Sequence, residues 1–221
     1  MRDLIQQERF ELEVLDRLKS ARLLDKLVFG GGTMLRLCFG LNRYSVDLDF
    51  WLIKQLDTDK FFNELEEVLS ADYTVTDSAD KFNTLLFEIK SREYPRKLRI
   101  EVRKEIKDII SVPAIAYSPS FNLQVYVNVV SLPDMMNSKI AAFIDRKEIR
   151  DTFDIEFLLK KGVPLEASRK DLLKIKKGLD DLTSRDYSVK LGSLLEEKDR
   201  DYFNKRNFQI LRSAISGMEV Q

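Results

Sequence analysis

The chain has 221 residues, enough for one domain with an appendage or two small ones, and for a real core. Hydrophobic residues make up 44% and charged residues 33%, with 37 basic side chains matching 37 acidic ones, so no global field recruits nucleic acid and any RNA contact must come from a local patch. The absence of histidine removes Ser-His-Asp and Cys-His mechanisms, histidine acid–base chemistry and the usual zinc sites.

One cysteine excludes an intrachain disulfide and fits a reducing compartment; Cys38 lies in an apolar run and reads as a helix residue, not a nucleophile. The charged N-terminus has no signal-peptide core, and no apolar stretch approaches the roughly 20 residues of a membrane span. A cytoplasmic protein is expected.

Residues 4–24 carry Leu4, Ile5, Leu12, Leu15, Leu18 and Leu23 among charges, a spacing that predicts an amphipathic helix. Leu27-Val28-Phe29 predicts a short strand running into Gly30-Gly31-Gly32, and 33–39 the helix that the glycines open. Residues 46–53 alternate as a strand, and 61–69 are helical in pattern. Strands follow at about 73–76, 84–90, 98–102 and 123–130. In the third of these Leu98, Ile100 and Val102 face one way and Arg99, Glu101 and Arg103 the other. Residues 105–121, with Pro113 and Pro119, read as a surface loop. After Pro133 the pattern is helical throughout: 134–147, 150–160, 166–182, 190–196 and 199–216. Strands mixed with helices and then helices alone predict an α+β domain over 1–131 and a helical part over 132–221.

A glycine turn opening a helix can hold phosphates on backbone N–H groups at the positive end of the helix dipole. Asp47 and Asp49, two apart on a strand, point to one side and can share a divalent ion. Phosphoryl and nucleotidyl transfer need these parts above all: positioned phosphates, metal to neutralise charge, and cations. Each part has a plain structural reading as well. The glycines can be a tight connection, Asp47-Leu48-Asp49 a solvated strand face, and Glu101 a partner of Arg99 and Arg103 instead of a third metal-site carboxylate. On an uninterrupted helix Lys139, Arg146 and Arg150 fall within about 40° of one another. They form either a phosphate-lining stripe or a solvated face paired with Asp145, Glu148, Asp151 or Asp154.

Three motifs occur together: Gly31-Gly32-Thr33-Met34-Leu35-Arg36, Arg43-Tyr44-Ser45-Val46-Asp47-Leu48-Asp49-Phe50, and Lys139-Ile140-Ala141-Ala142-Phe143 continuing through Arg146 to Arg150-Asp151-Thr152-Phe153-Asp154. In order and type they resemble the AbiEii/AbiGii family of bacterial nucleotidyltransferase toxins, within the polymerase-β-like superfamily; the resemblance runs from about residue 28 to residue 159. It implies a nucleotidyltransferase-fold mixed sheet flanked by helices, followed by a helical C-terminal bundle that completes the active-site cleft.

The resemblance also implies roles. Gly31, Gly32 and Thr33 would hold the triphosphate, with Arg36, Arg43, Ser45, Arg146 and Arg150 as further nucleotide contacts. Asp47 and Asp49 would ligate Mg²⁺, with Mn²⁺ as an alternative, and Glu101 would be a third acid. Lys139 would contact the phosphates, and either Asp151 or Asp154 would be the acid of the last motif; spacing does not decide between them. The implied reaction moves a nucleoside monophosphate from an NTP to an acceptor, with the 3′ end of tRNA as first candidate, and growth arrest as the outcome of a toxin whose antitoxin is encoded nearby. The basic segment Lys90, Arg92, Arg96, Lys97, Arg99, Arg103, Lys104 and Lys107, and a second cluster of Arg169, Lys170, Lys174, Lys176 and Lys177, suit RNA. The alternatives are transfer to a small molecule or a protein hydroxyl, and a non-catalytic nucleotide-binding module.

Overall fold

The structure is a computed structural model that describes residues 2–219, so residue 1 of the first expected part and residues 220 and 221 of the second lie outside the described residues. The chain divides into two compact units. The first takes in residues up to Gly40 and Tyr44–Val130; the second takes Leu41–Arg43 and the chain from Ser131 onward.

The first unit begins with α1 (Arg2–Ser20), whose buried stripe includes Leu4, Leu12, Leu15 and Leu18. A short 3₁₀ turn (Leu23–Lys26) leads into β1 (Leu27–Gly30), and α2 (Gly31–Phe39) starts on the next residue and stops at Gly40, whose left-handed φ of 76° ends the helix. Then come β2 (Asp47–Leu52) and α3 (Thr58–Asp72), the latter capped where the Asp57 carboxylate accepts from the Lys60 N–H at 3.0 Å. The remaining strands are β3 (Thr74–Asp80), β4 (Thr84–Lys90), β5 (Leu98–Arg103), β6 (Ser111–Tyr117) and β7 (Gln124–Val130).

The seven strands form one mixed sheet in the order β3-β4-β5-β2-β1-β7-β6. β2 runs antiparallel to β1 and parallel to β5, while β1 runs parallel to β7. Register partners share a face. Phe50 pairs with Phe29 and with Val102, and Phe29 with Val129, so these side chains face the core together. Asp47 and Asp49, offset by an odd number of residues, face the other way, beside Arg99 and Glu101 of β5. On the core side α3 packs Phe62 on Phe87 of β4, with ring centroids 4.7 Å apart.

The segment expected as a loop at 105–121 contains β6. Pro113 argued against a strand, but β6 is the edge of the sheet, where a missing N–H need break no ladder bond; Pro113 sits opposite Asn128 of β7.

The second unit is helical: α4 (Leu132–Arg146), α5 (Ile149–Lys160), α6 (Arg169–Asp180), α7 (Glu197–Arg206) and α8 (Gln209–Glu219), with a π-helical turn (Asp186–Leu191) and a 3₁₀ turn (Gly192–Leu194) between α6 and α7. Ser131 and Ser168 cap α4 and α6 by accepting from the N–H groups of Asp134 and Asp171, each at 3.2 Å. α5 is the hub: every residue from Asp151 to Leu158 is buried, and Phe153 meets Phe203 of α7 at 4.6 Å. Two helices expected as continuous are broken. Asn207 and Phe208, both at positive φ, separate α7 from α8, and the expected helix at 190–196 is largely the π and 3₁₀ turns. Among the described residues no helix is long and apolar enough to cross a membrane.

Gly30 has an extended φ of −143°, so it is required for space and not for conformation. A Cβ there would lie 2.6 Å from Cη2 of Trp51, the chain's only tryptophan, which is 4% exposed on β2. Gly30→Ala is expected to lower unfolding stability by about 1–3 kcal/mol, the usual cost of overpacking. Urea titration followed by Trp51 fluorescence checks this directly; an unchanged midpoint contradicts the packing.

Candidate active site

In the first unit the strand carboxylates and the glycine turn are packed against each other. Gly30 is the register partner of Asp49, and Gly31 follows at φ +75°, a left-handed conformation that favours glycine. A Cβ on Gly31 would come within 2.9 Å of Cγ of Asp49 and closer still to its Oδ2. The Asp49 carboxylate therefore lies directly against the first residue of α2. Gly32 and Thr33 are buried in the first turn of that helix. The Thr33 hydroxyl donates to the Asp47 carbonyl at 2.5 Å, so its side chain braces the start of β2. Ser45 is half-buried just ahead of the strand.

Arg36, further along α2, pairs with Glu8 of α1 and lies 4.2 Å over the Tyr44 ring, while Ser118 donates to the other Glu8 oxygen at 2.8 Å. Arg36 is thus tied into the first unit by an acid and an aromatic face. Glu101 stands next to Asp49 across β2 and β5, but its carboxylate bonds Arg99 at 2.6 Å. Among the described residues no three acidic, histidine or cysteine side chains are gathered so as to hold a metal by themselves. The donor set suits a hard divalent cation bound by two carboxylates and by oxygens from a substrate: Asp47 and Asp49 are half-buried, share one face, and Asp49 lies beside the N-terminus of α2.

The second unit gathers the residues of the last motif into one ion-pair network. Arg43 grips Asp154 with two bonds, Nε to Oδ1 at 2.7 Å and a terminal nitrogen to Oδ2 at 2.6 Å. Lys139 Nζ lies 2.8 Å from the same Asp154 Oδ2 and 3.6 Å from Asp151 Oδ1. Arg146 grips Asp151 in turn, with both bonds at 2.7 Å. Burial works against the charge on Asp154, but Arg43 and Lys139 outweigh it and hold the carboxyl below its usual range. Both carboxylates are fully buried; Lys139 retains 8% exposure.

The expected stripe of Lys139, Arg146 and Arg150 on one helix does not form. Lys147 turns left-handed (φ 53°) and ends α4, so Arg150 starts a different helix, half-buried and without an ion pair among the described residues. The basic segments are also partly neutralised: Lys97 pairs with Glu88 at 2.5 Å, Lys104 with Asp80, Lys107 with Glu105 at 3.7 Å and Lys174 with Asp171 at 3.0 Å. Lys90, Arg92 and Arg96 remain exposed, with no ion pair among the described residues, in and beside the turn between β4 and β5.

Sequence reasoning passed over a buried polar row on α1. Gln7, Glu8 and Glu11 lie on the buried side with Leu4, Leu12 and Leu15, and helical periodicity alone would have placed them there. Gln7 donates weakly to the carbonyls of Val46 and Lys97, at 3.5 and 3.4 Å. Both Glu11 oxygens are buried without a hydrogen-bond partner. Burial, and after it the charges of Glu8 and Asp47, push its carboxyl well above the usual range, with Arg36 opposing. A group whose folded pKa is raised binds more protons folded than unfolded, so its contribution falls as pH rises from the unfolded value toward the folded one. Glu11→Gln is expected to stabilise the protein by roughly 1–3 kcal/mol at pH 8, with the gain vanishing towards pH 4. Urea midpoints of both proteins across that range test it; a gain independent of pH contradicts a protonated Glu11.

Comparison with known proteins bears on family and fold. A family described as "Nucleotidyl transferase AbiEii toxin, Type IV TA system" matches residues 13–212. Two crystal structures share the fold. One is of an H. pylori protein assigned as a nucleotidyltransferase, at 20% identity with 95% of this chain and 96% of that chain covered and a TM-score of 0.59. The other is JHP933 from Helicobacter pylori, at 18% identity with 95% and 94% covered and a TM-score of 0.56. No curated protein matches the sequence. With the family covering most of its length, the chain belongs to the AbiEii nucleotidyltransferase toxins of type IV toxin–antitoxin systems.

Proposed function

We propose that the protein transfers a nucleoside monophosphate from an NTP to the 3′ end of an RNA, with tRNA as the first acceptor to test, and that the modification arrests growth. The observation that carries this reading is the contact between Asp49 and Gly31, which sets a candidate metal ligand against a helix N-terminus suited to phosphate. Asp47 and Asp49 would hold Mg²⁺, or Mn²⁺ in its place, and the ion would neutralise charge on the transferring phosphate and lower the pKa of the acceptor hydroxyl. The N–H groups of Gly31 and Gly32 would orient the triphosphate, and Lys139 would bear charge released onto the leaving pyrophosphate. Glu101, held by Arg99, is assigned to shaping the carboxylate face and not to the metal.

The acceptor assignment rests on local charge. With no net charge overall, Lys90, Arg92 and Arg96 supply exposed cations beside β5, the strand paired with β2. Membership of a type IV system implies a cognate antitoxin; we infer that it is encoded nearby and acts without a stable complex with the toxin.

Purified protein incubated with Mg²⁺, total cellular RNA and each α-³²P-labelled NTP should label a tRNA-sized band. Asp49→Ala should reduce that labelling at least 100-fold. Label entering protein or a small metabolite would move the acceptor; none with any NTP would overturn the reaction. Arg92→Glu combined with Arg96→Glu should weaken RNA binding about tenfold or more at 0.1 M salt and flatten its salt dependence by about two phosphate contacts, with NTP binding unchanged. Equal RNA affinity would remove this turn from the acceptor surface.

A further inference from the structure

The last motif offers two carboxylates, and the reading that one of them acts directly on substrate conflicts with their burial. Asp151 and Asp154 are each 0% exposed, and each is gripped bidentately by an arginine. A carboxylate so enclosed has its lone pairs committed and no path to an incoming hydroxyl. Of the groups Asp154 touches, Arg43 is 3% exposed and Lys139 is 8% exposed. Lysine is a compact charge on a flexible four-carbon stem, so its position must be imposed from outside the side chain. Asp154 Oδ2 imposes it at 2.8 Å, while Asp151 stands back at 3.6 Å and is occupied by Arg146.

We propose that Asp154 is a positioning residue: locked by the Arg43 fork, it fixes Lys139 Nζ as the phosphate-binding cation, and Asp151 serves Arg146 instead. The arginine fixes the carboxylate plane, the carboxylate fixes the ammonium, and only the ammonium is left to meet the triphosphate. The assignment rests on the nucleotidyltransferase reading for the role of Lys139, whereas the Asp154–Lys139 coupling itself can be read without turnover.

Two readouts separate these. The first is the reactivity of Lys139 towards an amine-acylating reagent, followed by mass spectrometry against exposed Lys54 as internal control. The second is kcat and KM for the NTP in the labelled-RNA assay. Asp154→Asn should raise Lys139 acylation at least fivefold relative to Lys54 and lower kcat at least tenfold. Asp154→Glu keeps the buried charge balance but displaces the carboxylate by a methylene; it should lower kcat by about three- to tenfold while KM stays within about threefold. Circular dichroism and urea midpoints establish that each variant is folded, and if the asparagine variant is not, the glutamate variant carries the test by both readouts.

Unchanged Lys139 reactivity in a folded variant that has lost kcat would overturn the proposal in favour of a carboxylate acting on its own. Wild-type kcat in either variant would overturn it as well. If the wild-type protein labels no acceptor, the functional reading fails, and a rise in Lys139 acylation in Asp154→Asn still establishes the coupling while unchanged acylation removes it.

Discussion

The first unit depends on how closely the turn between β1 and α2 approaches β2. Two consecutive glycines face two alternate side chains of the neighbouring strand: Gly30 lies under Trp51 and Gly31 lies against Asp49. A side chain at either position would push the strands apart, and with them the helix N-terminus away from the carboxylates. The same contact that permits strand pairing thus fixes the separation between an anion-attracting helix end and an acidic strand face. Left alone, those two features have complementary needs, since the carboxylates repel phosphate and the helix end attracts it. A divalent cation held by Asp47 and Asp49 would reconcile them, and would make the glycine turn and the acidic strand parts of one site.

The second unit solves a different electrostatic problem. α5 buries three acids, Asp151, Asp154 and Glu156, in a helix whose residues 151–158 are all enclosed. Isolated, each would be expensive, and the unit gives each a partner: Arg146, the Arg43–Lys139 pair, and, for Glu156, the Leu211 N–H at 3.2 Å with Lys160 at 3.3 Å. Such networks contribute little net stability against an apolar alternative, but removing one member leaves a charge stranded. They specify arrangement more than they stabilise it.

Much of the fold was legible because β5 alternates cleanly, because β2 does so from Asp47 to Phe50, and because the pattern after Pro133 is helical throughout. What was not legible has physical causes. Pro113 reads as a strand breaker unless the strand is known to be an edge, and edge status belongs to the whole sheet. Lys147 in a left-handed conformation ends α4 with no glycine or asparagine to announce it; the pattern alone set the break between 147 and 150, and that break rules out the stripe through Arg146 to Arg150. The charged residues of the last motif were legible as a group through the motif itself; periodicity brings only Lys139 and Arg146 to one side of α4, and it is the break at Lys147 that returns Asp151 and Asp154 of α5 to them. Their partners were not legible: a network within the protein and a cradle for phosphate use the same residue types, and burial distinguishes them. Thr33 and Glu11 make the same point from the opposite direction, a hydroxyl spent on the Asp47 carbonyl and a carboxyl with no partner at all.

The short excursion Leu41–Arg43 belongs with the helical unit, while the residues on either side belong with the sheet. Arg43 bridges Leu195 through its backbone and Asp154 through its side chain. The polypeptide therefore passes from one unit to the other three times, although only the passage at Val130 looks like a domain junction in the sequence. Two units threaded in this way cannot be exchanged as modules by recombination at one point, since a break at residue 130 would carry the sheet unit away with Leu41 and Arg43, two buried residues of the helical unit. A helical half paired with a foreign sheet would have to recover its missing arginine from an unrelated loop.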